Sequence, residues 1–80
     1  MRRYEFAVQD VTCEKCDARI RETVEGLPGA ARIELVRTPE NEARVAFESD
    51  EAIAADVIER AIEAKSVGTE HDYWVRWATT

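Results

Sequence analysis

Lysine is scarce in this 80-residue chain: two Lys stand beside nine Arg, and the eleven basic residues face seventeen acidic ones, for a formal net charge of −6. Phosphate backbones and anionic membrane surfaces attract the opposite sign, so no nucleic acid partner is expected and no charge-driven membrane binding. No apolar run approaches the length needed to cross a bilayer, so membrane insertion is not expected either. The opening Met1-Arg2-Arg3-Tyr4-Glu5 leads into a strand pattern rather than a signal-peptide core. Three Gly and two Pro are too few for a low-complexity or disordered segment. Two Cys and one His cannot by themselves make the four-ligand Cys/His set of a structural zinc site. The length fits one domain, residues 1–80, with no room for a separate cofactor domain. The expected setting is soluble and cytoplasmic. An acidic, Lys-poor surface suits a salt-adapted cytosol, and equally an ordinary acidic domain.

What is present is periodic. Tyr4, Phe6 and Val8 alternate with polar residues, which predicts a half-buried strand over 4–9. Asp10-Val11-Thr12-Cys13 reads as a loop. Cys16, Ile20, Val24 and Leu27 then recur at helical spacing, with Asp17, Arg19, Arg21, Glu22 and Glu25 on the other faces. Gly26 and Leu27-Pro28-Gly29 end that helix. Ile33 and Leu35 mark a second strand, residues 37–42 a polar turn, and Ala43, Val45 and Phe47 a third strand, together a hairpin. Ser49 or Asp50 is placed to cap a second helix, with Glu51 in its first turn and a stripe of Ile53, Val57, Ile58, Ala61 and Ile62. A polar loop over 64–72 precedes a last strand, in which Tyr73, Val75 and Trp77 face the core and Trp74 the open side. The order predicts an α+β, ferredoxin-like βαββαβ sandwich: a four-stranded antiparallel sheet with two helices on one face.

The two cysteines form Thr12-Cys13-Glu14-Lys15-Cys16, with one thiol in the loop and one in the first helical turn. Four readings fit that pair. A disulfide would close too short a loop to stabilise much, in a compartment that keeps thiols reduced. Zinc would have to recruit His71 and a carboxylate. A thioredoxin-like redox centre also sits at a strand-to-helix junction, but Glu14-Lys15 replaces the Gly-Pro found there. An open two-thiolate site for a soft ion is the fourth, and two sulfurs are a complete set for Cu(I) in near-linear geometry. The helix N-terminus and Lys15 favour the thiolates; Asp10, Glu14 and Asp17 oppose them.

The chain resembles the heavy-metal-associated (HMA) domain, the fold of small copper chaperones and of the metal-binding modules of heavy-metal P-type ATPases. Val11-Thr12-Cys13-Glu14-Lys15-Cys16 stands where that family has Met-Thr-Cys-x-x-Cys, and Ile20, Val24 and Leu27-Pro28-Gly29-Ala30 match its first helix and following turn. Asp10-Val11 replaces the usual Gly-Met, with Val11 taking the buried role. The resemblance implies Cys13 and Cys16 as metal ligands, and Thr12, Lys15 and Lys65 as candidates around them. Thr12 would cap the helix or hydrogen-bond near a thiolate. Lys65 would offset the negative charge of a bis-thiolate, or be a solvated helix-end residue. His71 is expected as a surface residue at a strand start, with a third ligand as its other role.

The expectation is therefore a Cu(I)-binding metallochaperone and not an enzyme. It would pass its ion by thiolate exchange to a copper-transporting P-type ATPase or another acceptor, and act as a monomer or a metal-bridged dimer. Zn(II) or another soft metal is the alternative cargo. An N-terminal ATPase module and a thiol–disulfide oxidoreductase are the alternative functions. The start at Met1 and the end just past the last strand favour a free-standing protein.

Overall fold

Tyr4, Phe6 and Val8 line the inner face of β1 (Arg2–Gln9) in a computed structural model that describes residues 2–77. Phe6 and Val8 are buried and Tyr4 half-buried, as the alternation predicts. After β1 come α1 (Glu14–Glu25), β2 (Ala31–Thr38), β3 (Glu42–Ser49), α2 (Ala55–Glu63) with a 3-10 turn (Ala64–Ser66) behind it, and β4 (Trp74–Trp77). The four strands form one antiparallel sheet in the order β2-β3-β1-β4. This is the expected ferredoxin-like βαββαβ arrangement. The β1–α1–β2 crossover leaves space for β3 between its two strands, and β4 pairs on the free edge of β1.

Both helices cover one sheet face. Ile20 and Val24 of α1 and Ile58 and Ile62 of α2 are fully buried, against Phe6, Val8, Val45, Phe47 and Val75. Each buried Ile contributes about 1.5–3 kcal/mol by leaving water. Phe47 anchors the layer, stacked on Tyr4 at 5.0 Å and edge-on to Phe6 at 6.3 Å. Trp74 lies opposite Gln9 on the other face and is 58% exposed, as its place in the alternation implies.

The structure differs from the sequence pattern at three places. β1 begins two residues early, because backbone pairing of Arg2 and Arg3 with Ser49 and Glu48 needs no apolar side chain. α2 begins at Ala55, not after a Ser49 or Asp50 cap. The Ser49 hydroxyl instead donates to the Pro28 carbonyl at 2.7 Å and accepts the Glu51 N–H at 3.0 Å. The Tyr4 hydroxyl accepts the Ile53 N–H at 2.9 Å and so holds the following segment extended. With the helix starting late, Val57 falls in its first turn and is 48% exposed, so it leaves the expected core stripe. Finally, Tyr73 precedes β4 rather than opening it, although its ring is buried as expected.

Candidate metal site

The β1–α1 loop brings the thiols together. Asp10 takes the left-handed conformation (φ 64°) and turns the chain out of β1. Val11, fully buried, pins the loop to the core, and its N–H donates to the Asn41 carbonyl at 3.0 Å. Cys13 is the extended N-cap residue of α1, and Cys16 lies in the first turn. One turn of helix sets their sulfurs 3.6 Å apart, as free thiols, with Cys13 half-buried and Cys16 fully buried.

Polar contacts set the acidity of Cys16. Burial pushes its thiol up, but polar contacts to the sulfur outweigh burial: the Tyr73 hydroxyl, the backbone of Thr12 and Cys13, and the Cys13 thiol. The net result is a pKa lowered to about 7. The sulfur also lies 3.6 Å from the Cys13 sulfur and 3.5 Å from His71 Nε2.

Thr12 does not cap α1. Its side chain is exposed, Cys13 holds the cap position with no side-chain cap bond, and Thr12 acts on Cys16 through its backbone. Lys15 is exposed beside Cys13, in a shallow hollow that Arg37 also lines. Lys65 is exposed in the 3-10 turn and has no hydrogen bond or ion pair to any other described residue. Of the opposing carboxylates, Asp17 lies 3.6 Å from the Arg37 guanidinium and Asp10 is engaged by the loop before β4.

Three further residues enter the site: His71, for which the sequence offers a third-ligand role as the alternative, and Tyr73 and Arg19, which spacing does not assign to it. His71 is not a surface residue: its Nε2 lies 3.5 Å from the Cys16 sulfur, and its Nδ1 lies 3.5 Å from Asp10 Oδ2. The cause is Asp10 Oδ2, which accepts the Asp72 N–H at 2.8 Å and draws the loop back over Cys16. Tyr73 stacks under the His71 ring at 5.8 Å and 10°. Its phenol accepts a hydrogen bond from Arg19 Nη1 at 3.1 Å. That bond, with the nearby thiols, raises the Arg19 pKa, while burial foremost raises that of Tyr73. Among the described residues no three His, Cys, Asp or Glu side chains converge into a ready-made cage. The soft donors are the two sulfurs, with His71 against one of them.

The heavy-metal-associated domain profile matches residues 5–67. Among solved structures, the chain is similar to the yeast copper transporter domain Ccc2A, whose solution structure covers apo and Cu(I)-loaded states. The TM-score is 0.69 at 23% identity, over 99% of this chain and 100% of that one, a likeness of fold. No curated protein matches the sequence. No helix among the described residues is long and apolar enough to cross a membrane.

Proposed function

The chain belongs to the heavy-metal-associated domain family, and from that premise we propose that it is a Cu(I) metallochaperone. Cys13 and Cys16 bind one Cu(I) as a bis-thiolate and pass it to an acceptor protein. The observation that carries this reading is the pair of free thiols 3.6 Å apart at the helix N-terminus. Thiolates select soft ions, and two sulfurs satisfy Cu(I) while leaving Zn(II) half-coordinated. Cys13 is the more accessible sulfur. Exchange then starts there: an acceptor thiolate adds to the ion, Cys13 departs and takes up a proton, and Cys16 follows. No covalent bond of a substrate is made or broken, so the protein is not an enzyme. A cytoplasmic setting, where thiols stay reduced, suits this role.

The likeness to a copper transporter domain favours a second reading, in which the same site serves as a metal-binding module of a heavy-metal P-type ATPase. The binding claim common to both is tested by anaerobic titration of the reduced protein with Cu(I) against a chelator of known affinity. One equivalent retained by the parent, and none by the Cys13→Ser/Cys16→Ser double variant, is the expected result. Retention by the double variant would refute the site.

A further inference from the structure

A bis-thiolate of a monovalent ion carries one surplus negative charge, and that of a divalent ion carries none. A fixed cation beside the sulfurs therefore separates the two by charge alone. Lys65, the cation that helix-end spacing suggests, is exposed and makes no polar contact with the site. Arg19 is at the site. It lies three residues after Cys16 on α1, where side chains share a helix face. Its Nη1 donates to the Tyr73 hydroxyl at 3.1 Å. The post that holds it is rigid: the Tyr73 ring is 1% exposed and stacked under His71, which itself leans on Cys16. The other cations are placed less well. Lys15 is exposed, and Arg37 is drawn toward Asp17.

We propose that Arg19, tethered by Tyr73, is the counter-cation of the loaded site and biases it toward monovalent over divalent soft ions. The inference rests on the metal-site reading above but concerns selectivity, not binding as such. Both ions displace the same protons from the same two thiols, so ionisation of the empty site cancels from the ratio of the two affinities. What survives is the interaction of Arg19 with the net charge of each complex. For a cation that is partly exposed, this amounts to a several-fold effect.

The test measures Cu(I) and Zn(II) affinities at one pH, each against chelators of known affinity. The proteins are the parent, Arg19→Gln, Arg19→Lys, Tyr73→Phe and, as a control for net charge, Arg60→Gln. Arg19→Gln is expected to lower the Cu(I)-to-Zn(II) affinity ratio roughly three- to tenfold at low ionic strength, and less at high salt. Arg19→Lys restores most of the ratio. Tyr73→Phe keeps the charge but frees the guanidinium and gives a smaller fall. Arg60→Gln leaves the ratio at the parent value. Equal weakening of both ions by Arg19→Gln is the mark of a merely structural residue and overturns the proposal, as does a fall of the same size in Arg60→Gln. If Arg19→Gln loses its helical circular dichroism, the other two site variants decide: an unmoved ratio in Tyr73→Phe overturns the tether. A parent that retains neither ion overturns the metal-site reading itself, and that outcome is visible before any variant is compared.

Discussion

The lowered Cys16 pKa makes the stability of the metal-free protein depend on pH, in a direction the site dictates. The folded value is about 7, against 9.0 for an unperturbed thiol. A depressed folded pKa means that the folded state holds the thiolate while the unfolded state still holds the proton. The stabilisation is therefore fully present above pH 9 and is lost as the pH falls through 7. A two-unit difference sets a ceiling of about 2.7 kcal/mol. The partly exposed Cys13 beside it admits water to the site and makes about 1–2 kcal/mol the expected gain. The perturbation that isolates it is Cys16→Ala, whose stability lacks this dependence. Urea unfolding of reduced, metal-free parent and variant at pH 6.5 and pH 9.5 gives the difference directly. The parent should gain on Cys16→Ala by that amount between the two pH values. Because Cys16 is fully buried, thiolate absorbance near 240 nm is a better monitor of its ionisation than alkylation. In Cys13→Ser, which keeps a hydroxyl beside the sulfur, the midpoint should lie near the parent value of about 7. A midpoint near 9, or parallel stability curves for parent and Cys16→Ala, would refute the reasoning.

Three further outcomes test the frame around the site. Gly29 sits at φ +66°, and an added Cβ would lie 3.0 Å from the Ser49 hydroxyl and far closer to the Asp50 carboxylate. Gly29→Ala should therefore destabilise by about 1–2 kcal/mol from backbone conformation alone, and unchanged urea midpoints would contradict that geometry. Tyr4→Phe removes the acceptor of the Ile53 N–H and should lower stability by about 1 kcal/mol, with hydrogen exchange faster at Ile53. Lys65→Ala should leave Cu(I) retention in chelator competition at the parent level, and a several-fold loss would return Lys65 to the site.

The fold was legible wherever burial and period coincide. Ile20 and Val24 announce the buried stripe of α1, and Phe6 and Val8 the inner face of β1, because each pattern repeats with its own element's geometry. The start of α2 was not legible. Ser49 and Glu51 carry a cap-like signature, but tertiary contacts with Pro28 and Tyr4 use those groups first. At the site, the cysteines were readable because three residues of helix bring two thiols together. His71 and Tyr73 come from more than fifty residues away, and local spacing holds no trace of the Asp10 side chain that draws their loop inward. The alternation did place the Tyr73 ring in the core. It could not show that the ring's hydroxyl emerges beside Arg19 and Cys16.

X-ray absorption at the copper edge, on protein loaded anaerobically with one equivalent of Cu(I), bears most directly on the claim that Cys13 and Cys16 are the ligands. The account predicts a first shell of two sulfur neighbours in the parent, and its loss in the Cys13→Ser/Cys16→Ser variant. A first shell made of nitrogen and oxygen alone, or an unchanged spectrum in the double variant, would contradict it.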